Sequence, residues 1–230
     1  MKIAILGLNF ILGKNNLKDE RLEKLALILH SPKVISIAVE LKDASSLKDA
    51  DAIIAREDLK LDLILMDLER LQTMDLREDI SSDLLRRLKD SLEKEILLNE
   101  VSFNPEEEKI IQSLNLVSFK PIGFMKSEDD KLLIEKIKEL YYRSKRICFF
   151  TTNERELRAW EIKKGTTAYQ ASGLIHSDIQ RGFIKAEVIG YDSIIQAGGL
   201  AQAKGKGLMR LEDRDYAIQD GDLIYFRFNV

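Results

Sequence analysis

An α/β fold is predicted for this chain: strand–helix alternation interrupted by a hairpin of helices, then a compact strand-rich module. Three observations predict it. Glycine is absent from residues 14–122, whereas nine of the twelve glycines lie between residues 146 and 230. Apolar residues in the first two thirds recur at helical spacing between short β-type runs. The C-terminal segment ends in Gln219-Asp220-Gly221-Asp222, a turn signal, followed by the half-buried strand pattern of Leu223, Tyr225 and Phe228.

Taken in order, Lys2 to Leu6 reads as a strand and Leu17 to His30 as a helix, with Leu22, Leu25, Ala26 and Leu29 on one face. Ser31-Pro32 ends that helix, because the residue before proline avoids the helical region. Lys33 to Leu41 is strand-like through Val34, Ile35, Ile37 and Val39. From Leu61 to Leu98 the pattern is long and helical, broken between residues 75 and 82. Asn104-Pro105 with Glu106, Glu107 and Glu108 opens a further helix: asparagine at the N-cap, proline at the first position and acids in the first turn. A strand is expected within 117–124 and a helix over 128–142. Within the C-terminal module, the block from Gly173 to Val188 reads as a turn, with His176 in Ile175–Asp178, and then an alternating strand.

Bulk properties exclude several classes. A chain of 230 residues buries a substantial core in one or two domains. The single cysteine, Cys148, excludes an internal disulfide and reads as a core residue within Ile147-Cys148-Phe149-Phe150. No apolar stretch approaches the roughly 20 residues of a membrane span, and Met1 to Leu6 lacks the apolar core of a signal peptide. A cytoplasmic protein with no membrane partner is therefore expected. With a net charge of −3, any nucleic-acid contact must be local.

Four phrases identify a family. Glu156-Leu157-Arg158-Ala159-Trp160, Lys164-Gly165-Thr166-Thr167-Ala168, the block from Gly173 to Val188 and the ending from Gln219 to Asn229 resemble the C-terminal TGS domain of the YchF family, the Obg-related P-loop ATPases and GTPases. The resemblance implies a β-grasp, ubiquitin-like module of the kind that contacts RNA or ribosomes. For the N-terminal region it implies a reduced P-loop-type, G-domain-like sheet with a helical hairpin insertion.

Nucleotide chemistry then belongs in the segment from Gly7 to Asn15, after the first strand. A working P-loop is G-x-x-x-x-G-K-[ST], in which backbone N–H groups and a lysine cradle phosphates while the hydroxyl binds Mg²⁺. Here five residues separate Gly7 from Gly13, and Asn15 stands where the hydroxyl belongs after Lys14. An ordinary strand–turn–helix connection is the plain alternative. Asp19-Glu20-Arg21-Leu22 resembles the family's Asp-Pro-Arg-Leu helix, but too few residues separate it from Lys14 to hold switch I. The Asp-x-x-Gly switch has Ser46 at the glycine position, or Asp43 in the register starting from Glu40. Leu65-Met66-Asp67 matches the entry to the helical hairpin, and Met125-Lys126-Ser127-Glu128 stands where the family's Asn-x-x-Glu base-recognition motif belongs, without its asparagine. Failures on four parts of the phosphoryl-transfer apparatus argue that hydrolysis is lost.

Other candidates are modest. His30 and His176 have no neighbours at zinc spacing, and His176 reads as structural. Lys204-Gly205-Lys206-Gly207 with Arg210 forms the best local basic patch, with a solvated loop as the plain reading, and Trp160 reads as core. The chain is thus expected to comprise a degenerate P-loop domain over 1–145, with an insertion at about 64–100, and a TGS domain over 146–230. Its expected function is binding rather than catalysis, with no catalytic residue and no metal. Gly7, Asn9, Gly13, Lys14, Asn15 and Asp43 are the vestigial nucleotide residues, and Arg181, Lys204, Lys206 and Arg210 the surface for a ribosome or RNA partner. The competing readings are a weak nucleotidase holding ATP or GTP with Mg²⁺ on the Gly13-Lys14 loop, and a regulatory partner of an intact YchF-type paralogue.

Overall fold

The computed structural model describes residues 1–74 and 80–229. The chain begins with strand β1 (Lys2–Leu6), β2 (Gly13–Asn16), helix α1 (Glu20–Leu29), β3 (Val34–Ile35), β4 (Ala38–Lys42) and β5 (Ala52–Arg56). It continues through α2 (Lys60–Thr73), α3 (Ser82–Glu93), α4 (Pro105–Leu114), β6 (Ile122–Met125) and α5 (Asp130–Arg143). The last stretch holds β7 (Arg146–Thr152), β8 (Leu157–Lys163), α6 (Ala168–Ile175), α7 (Ser177–Arg181), β9 (Phe183–Gly190), α8 (Tyr191–Ala197), α9 (Leu200–Gly205), β10 (Arg210–Glu212) and β11 (Asp222–Phe228). Two compact units result: Met1–Asn15 with Val39–Ser144, and Asn16–Ala38 with Lys145–Val230. The α1 segment, read from sequence as part of the N-terminal domain, therefore groups with the C-terminal unit.

The first unit carries a sheet in the order β2-β4-β1-β5-β6. β1 lies parallel to both β4 and β5, and β5 parallel to β6. Ala52, Ile53, Ile54 and Ala55 are all fully buried, as a central parallel strand requires, so β5 reads as a continuous apolar run without alternation. Ile53, Leu63, Leu71, Leu88 and Ile111 belong to one core cluster formed by the sheet with α2, α3 and α4. α4 starts as expected: Asn104 Oδ1 accepts from the Glu107 N–H at 2.9 Å, and the Glu107 carboxylate accepts from the Asn104 N–H at 3.0 Å. Of the expected break at 75–82, residues 75–79 lie outside the described residues. α3 resumes behind Ser81, whose Oγ accepts from the Leu84 N–H.

The second unit holds a mixed sheet in the order β10-β9-β11-β7-β8-β3. β7 and β8 are antiparallel, β11 runs parallel to β7 and antiparallel to β9, and the short β3 lies parallel to β8. Phe149, Ile162, Ala186, Val188 and Ile224 form a core with Ala168 and Ala171 of α6.

Three expectations change. The single strand read over 33–41 is two strands in different sheets, because β3 finds its partner in β8 and β4 in β1. The turn read at Ile175–Asp178 joins the end of α6 to the start of α7, helices started by a capping box between Thr167 and Gln170 and by His176 Nδ1 accepting from the Asp178 N–H. The strand expected within 117–124 is confined to Ile122–Met125, since the Val117 and Ser118 amides are taken by Asp67.

Candidate functional site

In the first unit, the loops after β1, β4, β5 and β6 gather at the carboxyl edge of the parallel sheet, where open α/β sheets bind their ligands. Gly7 turns the chain out of β1 at φ +70°, and a Cβ there would meet Leu59 Cδ1 at 2.4 Å. The loop then presents Leu8 to Leu12, with Ile11 90% exposed. Ile5, Leu8, Asn9, Phe10, Leu12 and Asp43 are among the residues lining an open depression of about 320 Å³. A carboxylate enters from the far side of the sheet: the Asn9 N–H donates to Glu128 Oε1 at 2.8 Å. Arg56 donates to the Gly7 carbonyl at 3.3 Å and is itself held by Asp58. Asp43 caps the 3₁₀ turn at Ala44–Ser46, accepting from the Ser45 N–H at 3.0 Å.

A phosphate cradle needs the loop to run into a helix, so that successive N–H groups converge on one point and the lysine follows. Here the loop runs into β2: Gly13 turns the chain at φ +119°, and Lys14 and Asn15 follow in the edge strand of the sheet. Extended backbone directs successive N–H groups to opposite sides. Lys14 is exposed, and the Asn15 amide donates to the Gly13 carbonyl at 3.2 Å. Asn9 and Asp43 border the depression, while Gly13, Lys14 and Asn15 do not. These residues do not fit a Mg²⁺–triphosphate: an edge strand does not converge its amides, no hydroxyl follows Lys14, and the Asn9 N–H is already taken by Glu128.

The second unit contains a polar network that sequence reasoning missed. Asp19 caps α1 by accepting from the Arg21 N–H at 2.9 Å. The Arg21 guanidinium then grips Asp19 through Nε at 3.1 Å and Nη2 at 2.9 Å, and reaches Asp220 through Nη1 at 2.9 Å. Asp220 also accepts from the Cys148 N–H at 3.0 Å, which ties α1 to β7 and to the turn before β11. Burial alone would raise the Asp19 carboxyl, but the hydrogen bonds and charge of Arg21 outweigh it and hold Asp19 below its ordinary value. Burial likewise pushes the Cys148 thiol far up, which disfavours the thiolate. Gly221 has φ +88°, and a Cβ there would lie 3.1 Å from Arg21 Nη1.

Beside this network lies a groove of about 620 Å³, lined in part by Arg21, Tyr191, Leu208, Arg210, Asp220 and Asp222. Its arginines are already engaged: Arg210 donates to Tyr216 Oη at 2.9 Å, and Tyr216 donates to Asp222 at 2.7 Å. Burial raises the Asp222 carboxyl despite the Gln219 N–H and the Tyr216 hydroxyl. The four residues expected to form one basic surface occupy different elements. Arg181 ends α7 against Asp178 at 2.9 Å, and Arg210 opens β10 beside Glu212 at 3.3 Å. Lys204 belongs to α9 rather than to a loop, its ammonium 5.2 Å from the Tyr225 ring centre, while Lys206 is exposed just beyond. No spacing rule links Arg21 to Asp220 or Asn9 to Glu128; only the tertiary fold brings them together.

Comparison with known proteins places these features in context. The family model YchF-GTPase_C (protein of unknown function, DUF933) matches residues 147–229. The ribosome-binding ATPase YchF of Bacillus subtilis is 30% identical over 241 residues, covering 76% of this chain and 66% of that protein. The ribosome-binding ATPase YchF of Pasteurella multocida is 52% identical over 82 residues, which span 36% of this chain and 23% of that protein. Obg-like ATPase 1 of Xenopus laevis is 49% identical over 82 residues, or 36% of this chain and 21% of that protein. The chain thus spans just under two thirds of the Bacillus relative and less than a quarter of the other two. In fold, it is similar to the Schizosaccharomyces pombe YchF GTPase at a TM-score of 0.78 and 16% identity, covering 99% of this chain and 97% of that one.

Proposed function

Since the chain belongs to the YchF family, we propose that it is a cytoplasmic binding protein that engages the ribosome or translation-associated RNA and protein surfaces and has lost nucleotide hydrolysis. In this reading the first unit is a reduced P-loop-type sheet with a helical insertion, and the second contains a β-grasp TGS module. One observation carries the loss of hydrolysis: the loop after β1 leads into the edge strand β2, while its Asn9 N–H is held by Glu128. Positioning and electrostatics supply nearly all catalysis of phosphoryl transfer, so a loop without converging amides has no remaining route to it. Retention of the binding role is supported by the relatives, two of the three named above being called ribosome-binding, and by the family model that matches residues 147–229.

Two measurements test this reading. The chain is expected to co-sediment with ribosomes at low salt, and calorimetry with Mg-ATP and Mg-GTP is expected to give no binding heat. Failure to co-sediment would remove the binding reading. Micromolar nucleotide binding abolished by Lys14→Ala would instead favour a residual nucleotide site on the Gly13-Lys14 segment.

A further inference from the structure

The groove of about 620 Å³ beside Arg21 pairs committed donors with idle acceptors. Arg21 holds Asp19 and Asp220, and Arg210 lies against Tyr216 and Glu212. The acceptors differ. Asp222 is 3% exposed, and its Oδ2 takes both the Tyr216 hydroxyl at 2.7 Å and the Gln219 N–H at 2.9 Å. Among the described residues its Oδ1 accepts no hydrogen bond, and Arg210 Nη2 stands off at 3.9 Å. The exposed Asp192 carboxylate likewise has no ion-pair partner among them. Asp192, Asp220 and Asp222 outnumber Arg21 and Arg210 along the groove, and Asp19 and Glu212 add negative charge against the two arginines.

The face that carries Asp222 is also open. Gly190 sits directly opposite Asp222 in the β9–β11 register, so a side chain there would share the face of that carboxylate. Its φ is −69°, which any residue adopts, and a Cβ would meet nothing within 4 Å. Neither backbone conformation nor packing within the chain requires a glycine at this position, and the missing side chain leaves space beside Asp222. Tyr191 and Leu208 supply apolar lining to the same groove. Burial disfavours the charge of Asp222, a cost that a cation brought against Oδ1 offsets.

We propose that this groove binds an alkylammonium group, with the ammonium donating to Asp222 Oδ1 and Asp192 and the methylene stem against Tyr191 and Leu208. An ammonium offers three donors and no acceptor, and its stem covers apolar surface. A free diamine and the lysine side chain of a protein share this chemistry. The assignment stands on the groove alone and does not rest on ribosome engagement.

Calorimetry of the full chain at about 20 mM salt, where charges are weakly screened, tests it with the diamine cadaverine and with an end-blocked Gly-Lys-Gly peptide. Saturable binding is expected, by cadaverine alone if the natural ligand is a free diamine and by the peptide if it is a protein lysine. Glutarate, an anion of similar length, is expected to give none. Asp222→Asn is expected to weaken amine binding about tenfold, the loss of one charged hydrogen bond. Asp222 also holds the turn before β11, so two further variants guard against misfolding. Asp192→Asn removes an exposed charge and is expected to weaken binding about threefold. Gly190→Leu fills the groove from a permissive backbone and is expected to abolish binding, with circular dichroism unchanged. Arg210→Ala removes a competing cation and is expected to tighten binding about threefold. No saturable binding of either amine, unchanged affinity in Asp222→Asn or Gly190→Leu, tighter binding of glutarate, or weaker amine binding in Arg210→Ala would overturn the assignment.

Discussion

Replacing Arg21 by methionine keeps the aliphatic stem and removes the one cation shared by Asp19 and Asp220. Arg21 is 24% exposed, Asp19 16% and Asp220 31%, so the network lies between a surface pair and a fully buried one. Breaking a fully buried pair from one side costs about 3–5 kcal/mol, and an exposed pair is worth under about 1 kcal/mol. Both carboxylates lose charge-assisted bonds, but Asp220 keeps the Cys148 N–H and both gain some water. The expected loss is therefore about 3 kcal/mol. In a unit of about 110 residues, that lowers the melting temperature by roughly 13 °C. Differential scanning calorimetry and urea unfolding of the full chain would measure it. Arg86→Met, which breaks a pair 65% exposed on both sides, serves as control and should leave the unfolding midpoint essentially unchanged. The effect must also depend on pH. Asp19 is held below its unfolded value, so the ion pair contributes fully above about pH 4 and loses its contribution as pH falls through the folded value. The gap between wild type and Arg21→Met should therefore narrow below about pH 4. A loss under about 1 kcal/mol at pH 7, or a gap that does not change with pH, would refute this account of how α1 is held.

Three further outcomes are expected. Asp67 is 2% exposed and accepts from the Val117 and Ser118 amides at 2.9 and 2.7 Å, so Asp67→Ala leaves two buried N–H groups unpaired and should cost about 2–4 kcal/mol by urea unfolding. Asp67→Asn, which keeps an acceptor oxygen and removes a charge that burial disfavours, should cost less; the reverse order would contradict this role. Gly221→Ala combines a left-handed backbone with a Cβ 3.1 Å from Arg21 and should cost about 1–3 kcal/mol; a neutral result would show that the turn relaxes freely. Cys148 is 1% exposed with its thiol pushed up by burial, so a disulfide reagent should label it only as the unit unfolds. Rapid labelling in native buffer would contradict the packing around Arg21.

Much of the candidate chemistry was legible because its signals are local. The capping box of Asn104 and Glu107, the glycine turn at Gly221 and the burial of Cys148 each depend on a few adjacent residues. The altered spacing from Gly7 to Gly13 and the missing hydroxyl at Asn15 were likewise visible as departures from a motif whose geometry tolerates neither. Trp160 read as core, and it packs half-buried against the core of the second unit, with Phe149 of β7 on one side and Arg158 of its own strand over its ring.

What the sequence by itself determined is the periodicity, the caps and the residue types available for chemistry. Those follow from backbone sterics and from spacings of three or four residues. The tertiary structure decided which pairings those segments found. It placed Lys14 in an edge strand rather than a helix, divided 33–41 between two sheets and grouped α1 with the C-terminal unit. It also set Glu128 against Asn9 and Arg21 between Asp19 and Asp220. Strand partners and ion pairs separated by more than a hundred residues are chosen by burial and hydrogen-bond satisfaction across the whole unit, and no local spacing encodes that choice.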